Sequence, residues 1–184
     1  MIFDLPKALT IHGQTWNIRS DYRDVLTILV AFEDPNLESE EKIYVCLCVL
    51  YEDFENMSKD LYKEAFDAAI DFIDQGKENG GNGARTMDWE QDAPLLFPAI
   101  NKVAGYEVRS VEYMHWWTFM GMFMEITDGI YSTVLSLRGK KAKHKKLEKW
   151  EREWWQQNID ICKLKIKYSD AELAEQERLK KLLG

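Results

Sequence analysis

Hydrophobic spacing along the chain changes period twice, and each change predicts an element. Residues 8–18 (ALTIHGQTWNI) alternate about Gly13, with Leu9 and Ile11 before it and Trp16 and Ile18 after it, as in a short β-hairpin with His12 at an exposed turn. From Ser20 the period becomes helical: Tyr22, Val25, Ile28, Leu29 and Phe32 share a face, Ser20 or Asp21 supplies the cap, and Pro35 follows the end. A second helix is expected from Ser39. Its apolar residues from Ile43 to Leu50 cover most of the circumference, which predicts a central, buried position. A third opens at Ser58 with Leu61, Ala65, Ala68 and Phe72 inside, and Gly76 stands at a C-cap position.

Residues 76–84 (GKENGGNGA) read as a flexible linker, without the Gly-Lys-Ser/Thr pattern of a phosphate loop. Beyond it, Asp88 or Asp92 can cap a helix that Gly105 ends, with Pro94 in its first turn; Pro98 should kink that helix or delay its start. Asp88, Glu90 and Asp92 suit the positive end of the helix dipole better than a metal. The segment 112–126 (EYMHWWTFMGMFMEI), capped at Ser110, predicts a core helix with Tyr113, Trp117, Met120 and Met124 on one face. Its uncharged stretch is too short for the ~20 residues that cross a bilayer, so no membrane role is expected. His115 has no serine or cysteine at a useful offset, which argues for a satisfied structural histidine.

Residues 129–137 predict a further helix ending at Gly139. Six lysines then fall within ten positions: Lys140, Lys141, Lys143, Lys145, Lys146 and Lys149, the candidates for electrostatic contact with an acidic partner. Leu147, Trp150, Trp154, Gln157, Ile161, Leu164 and Tyr168 repeat at alternating steps of three and four, a heptad seam. A continuous helix over 145–168 would be about 36 Å long. Its apolar members Leu147, Trp150, Trp154, Ile161, Leu164 and Tyr168 are the candidate partner or oligomer interface. Ser169 with Glu172 forms a capping box for a last helix.

The expected fold is therefore mainly α: a compact multi-helix domain with a short N-terminal β-hairpin and a long C-terminal heptad-patterned helix. Its 184 residues, 46% of them apolar, suffice for one sizeable core. The net charge of −8 is unevenly spread: residues 1–80 carry −10, 81–137 carry −4 and 138–184 carry +6. This divides the chain into an acidic helical body, 1–138, containing the linker 76–84, and a basic C-terminal extension, 139–184. The extension either belongs to the same domain or forms an oligomerisation arm. Acid against base favours self-association or a charged protein partner, and the acidic body works against nucleic acid. With three cysteines and no secretory signal, a reducing cytoplasm is expected. Cys46 and Cys48 are too closely spaced on a helix to share a metal. No catalytic, cofactor or metal residues are expected, and the protein reads as a non-enzyme.

Three blocks together carry a family resemblance: TMDWEQDAPLLFPAINKVAG at 86–105, HWWTF at 115–119 and VLSLRGKKAKHKKLEKWE at 134–151. With the start LTIHGQTWNIRSDYRD, the chain resembles small proteins of long-tailed bacteriophages and prophages of Gram-positive bacteria, encoded between the major tail protein and the tape-measure protein. The glycine-rich linker and the doubled Trp154–Trp155 depart from that pattern. The resemblance implies a tail assembly chaperone that binds the tape-measure protein in the host cytoplasm, with a second tail chaperone as a further partner. It also implies absence from the mature virion. A structural tail component and a nucleic-acid binder acting through Lys140–Lys149 are the competing readings.

Overall fold

The computed structural model describes residues 4–76 and 85–183, so most of the glycine-rich linker lies outside the described residues. Strands β1 (Ala8–Ile11) and β2 (Gln14–Asn17) pair antiparallel, with Leu9 opposite Trp16. The connecting residues His12 (φ 48°) and Gly13 (φ 77°) both adopt left-handed backbone, the mirror-image turn that matches strand twist. Ile11 and Trp16 are buried, and the His12 N–H donates to Glu64 Oε1 at 2.6 Å. The hairpin thus gains from the body the packing that an isolated two-stranded ribbon lacks.

Helices α1 (Tyr22–Phe32), α2 (Ser39–Leu50) and α3 (Tyr62–Ile73) form the first half of the body. Asp21 caps α1, accepting the Arg23 N–H at 2.9 Å. The buried side of α2 is narrower than its composition suggests: Cys46, Leu47 and Leu50 face inward, while Tyr44 and Cys48 are exposed. The guanidinium of Arg19 donates to the carbonyls of Cys48, Val49, Tyr51 and Glu52, satisfying the open end of α2. A short 3₁₀ turn, Lys59–Leu61, precedes α3, whose inner face is Ala65, Ala69, Phe72 and Ile73.

Helix α4 (Ala93–Ala104) begins behind Asp92 and ends at Gly105 in the left-handed conformation, φ 78°. Pro98 lies inside α4 and does not delay its start. Helix α5 (Trp116–Met124) begins five residues later than a cap at Ser110 would have it, with His115 as the observed cap. Residues 114–116 instead run beside 20–22 in an antiparallel bridge. The Tyr22 N–H donates to Met114 O at 2.9 Å, and the Trp116 N–H donates to Ser20 O at 2.8 Å. That long-range pairing keeps 112–115 out of the helix, leaves Tyr113 about half exposed, and makes His115 the cap. His115 Nδ1 accepts the Trp117 N–H at 3.0 Å, and Nε2 faces the Pro6 carbonyl at 2.9 Å, so the histidine is buried and satisfied.

The core closes around α5. Tyr22 and Phe119 stack with centroids 4.4 Å apart, and Trp116 donates from Nε1 to Ile73 O at 2.8 Å. Trp116 and Phe119 are the buried face of α5, whereas Met124 is exposed.

The C-terminal third departs most from expectation. Helix α6 (Gly129–Ala142) runs through Gly139, and no continuous helix covers 145–168. Instead α7 (Lys149–Gln157) and α8 (Ile159–Cys162) meet at Asn158, whose side chain donates to Trp154 O at 2.9 Å. Residues 163–169 are non-helical and lead to α9 (Asp170–Leu183). Two causes act against the long helix. Lysines 141, 145 and 149 would stack at successive i,i+4 positions, where like charges repel. Local side chains also offer caps: Glu151 accepts the Glu148 N–H at 2.9 Å, and His144 closes the preceding turn with φ 52°. The architecture is mainly α with an N-terminal hairpin and a C-terminal helix.

Candidate functional site

The chain's C-terminal region is joined to its body by a seam of polar contacts centred on Arg138. Position 138 is on the inner face of α6, beside Tyr131, Val134 and Leu137, so the guanidinium is carried into the interior. There it meets Asp92, the cap residue of α4, through two hydrogen bonds of 2.6 and 2.9 Å. Its remaining N–H groups donate to Thr86 O at 3.2 Å, Ile161 O at 2.8 Å and Cys162 O at 2.8 Å. An arginine has five N–H donors, and all five are engaged. Planar, bidentate geometry makes Arg138 suited to this position in a way lysine is not.

Beyond Arg138 the seam continues along residues 163–170. Gln91 donates from Nε2 to Lys163 O and accepts the Lys165 N–H at Oε1, each at 2.8 Å, so one side chain imitates a strand partner. Lys167 Nζ lies 2.9 Å from Glu90, 3.3 Å from Asp88 and 3.3 Å from Glu33. Asn36 then accepts the N–H of Asp170, the first residue of α9, at 2.8 Å. Desolvation lowers the Lys167 pKa, but hydrogen bonds to Glu90, Asp88 and Glu33 outweigh it, and the net direction is up. For Asp88 desolvation pushes upward, while the Gln91 N–H and the Lys167 ammonium reverse the direction, leaving it below the usual carboxylate range. Arg85 adds a further cation against Asp88 and Glu33. Asp88 and Asp92, read from sequence as companions of a helix dipole, are thus the body's half of an intramolecular charge seam. Nothing local signals this, because their C-terminal partners Arg138 and Lys167 lie 46 positions from Asp92 and 79 positions from Asp88.

The heptad residues do not form one stripe. Leu147, Trp154, Ile161 and Leu164 are half-buried, and Trp150 (56% exposed) points to solvent. The inward residue of α7 is Glu151, which pairs with Lys140 across the α6–α7 turn and has its carboxyl pKa lowered by that hydrogen bond. Leu164 and Tyr168 instead line an open groove of about 460 Å3 together with Ile159 and Ile166. The lysine run is divided as well. Lys140 is paired with Glu151, Lys141 lies 4.1 Å over the Trp155 ring, and Lys143, Lys145, Lys146 and Lys149 are exposed.

Among the described residues, no group of three or more His, Cys, Asp or Glu side chains is placed to hold a metal ion. Within the same residues, no helix is long and apolar enough to cross a membrane.

These features define a helical protein whose basic C-terminal region is fastened across an acidic body by a buried arginine and an extended strap. The family described as Bacteriophage Gp15 protein matches residues 2–169, nearly the whole chain. The protein belongs to that bacteriophage family. No curated protein and no solved structure matches it.

Proposed function

We propose that this phage protein is a non-enzymatic tail assembly chaperone that binds the tape-measure protein during tail morphogenesis. On this reading it self-associates, works in the host cytoplasm and is absent from the finished virion. Membership of a bacteriophage family supports it, together with the resemblance of the three sequence blocks.

The observation that carries the reading is the surface formed by the C-terminal region. Ile159, Ile166, Tyr168, Leu173, Leu179 and Leu182 are all at least 40% exposed. Helix α9 buries none of its described residues. An amphipathic helix and an adjoining apolar groove, both held to the body by the strap, offer a client helix the surfaces that helix-in-groove recognition uses.

Co-expression with the tape-measure protein tests the proposal. Co-purification and increased client solubility are expected, and both should fall when Leu173, Leu179 and Leu182 are replaced by serine. A client that neither co-purifies nor gains solubility overturns the reading. So does recovery of the protein in purified tails, which would make it a structural component.

A further inference from the structure

The turn after α6 and the first part of α7 enclose an open depression of about 420 Å3. Lys141, His144, Lys145 and Arg152 line it, with Leu147 and the half-buried Trp155 as its apolar wall, and no carboxylate does. Two other cations of the C-terminal region are neutralised, Lys140 by Glu151 and Lys167 by three carboxylates. Lys145 and Arg152 form no ion pair with any described residue. The pocket is therefore a place where this acidic protein leaves positive charge uncompensated beside an indole. Lys141, held 4.1 Å over the Trp155 ring, fixes one ammonium at the edge of that wall.

We propose that this pocket binds an acidic peptide segment of a partner protein. Its carboxylates would lie on Lys141, Lys145 and Arg152, and an adjacent aliphatic side chain would pack on Trp155 and Leu147. The favoured partner is a peptide and not nucleic acid for two reasons. The cations converge on one concavity and do not track along a groove as a phosphate backbone requires. The −14 carried by residues 1–137 also repels a long polyanion beyond the reach of the pocket. The apolar wall of Leu147 and Trp155 then selects acidic segments that carry leucine-like side chains over plain carboxylate runs. The inference rests on the reading of the protein as a partner-binding chaperone and assigns that partner's chemistry at a second surface, apart from α9.

The test follows the fluorescence anisotropy of a labelled peptide of Glu-Glu-Leu repeats titrated with the whole protein. A Lys-Lys-Leu peptide and a single-stranded oligonucleotide are run in parallel. The Glu-Glu-Leu peptide should bind, weaken as salt is raised, and lose roughly tenfold or more in affinity in the double variant Lys145→Gln, Arg152→Gln. Lys180→Gln on α9 should leave its affinity unchanged. Both altered residues are exposed, and an unchanged circular dichroism spectrum would confirm that the double variant remains folded. Absence of peptide binding, or equal binding by the double variant, overturns the proposal. Tighter binding of the oligonucleotide through the same two residues also overturns it, assigning the pocket to nucleic acid. Peptide binding that persists where the tape-measure protein fails to co-purify would sink the chaperone reading and leave the pocket standing.

Discussion

Asp92 and Arg138 are 46 positions apart, nearly inaccessible to water, and joined by two hydrogen bonds. The pair unites the start of α4 with the middle of α6, and through Ile161 and Cys162 it also holds α8. Removing one partner would leave the other as an uncompensated buried charge. Arg138→Met is therefore expected to lower unfolding free energy by about 3–5 kcal/mol. Arg138→Lys should recover little of this, because an ammonium cannot reach all five acceptors. Urea denaturation measures both, and a loss below about 1 kcal/mol for Arg138→Met would show the pair to be dispensable.

Two aromatic residues separate core from surface. Phe119, stacked on Tyr22 and fully buried, should cost about 3–5 kcal/mol when changed to alanine. Trp150 is more than half exposed, and Trp150→Ala should change stability by less than about 0.5 kcal/mol. Thermal or chemical unfolding of the two variants gives the comparison directly. A large loss for Trp150→Ala would restore that residue to the interior.

The strap predicts a local effect without a global one. In Gln91→Ala and Lys167→Met, amide exchange should accelerate at Lys165 and Asp170, while amides of α1 and α5 keep their protection. Each partly exposed ion pair contributes only about 0–1 kcal/mol, so the unfolding midpoint should move little. Hydrogen exchange read by NMR distinguishes the two scales.

His115 gives a pH dependence with a definite sign. Burial lowers its pKa, opposed by the hydrogen bond to Pro6 and reinforced by the Lys7 charge. The unfolded chain, with an ordinary value near ~6.5, takes up the proton first. Stability from this group is therefore intact above about pH 6.5 and declines as pH falls from there towards the lower folded value. Protonation at Nδ1 also removes the acceptor that caps α5. His115→Asn, which can still cap, should flatten the slope of the denaturation midpoint below about pH 6.5. An unchanged slope would assign the acid sensitivity to other groups.

Local chemistry made several elements legible. The alternation about His12–Gly13, the Asp21 cap and the bounds of α4 between Asp92 and Gly105 each depend on a few adjacent residues. The elements that differ were decided by distant partners. Residues 112–115 stay out of the helix because 20–22 pair with 114–116, and no periodicity within 112–126 contains that information. The 3-4 spacing over 147–168 was regular, yet Asn158 takes the Trp154 carbonyl and the strap beyond Cys162 binds Gln91. For the candidate site, the lysine run was visible, but its division into paired and unpaired members required Glu151 and Trp155 to be placed in space.

The five acceptors around Arg138 also bear on the order in which a growing chain can mature. As the ribosome delivers residue 138, Thr86 and Asp92 have already been made, whereas Ile161 and Cys162 have not. Two of the guanidinium's donors must then wait for more than twenty further residues of synthesis before they meet their carbonyls. A nascent chain stopped short of Ile161 has a half-satisfied cation where the finished protein has a closed one. Ile161 and Cys162 are thus the last-made members of the acceptor set that holds Arg138.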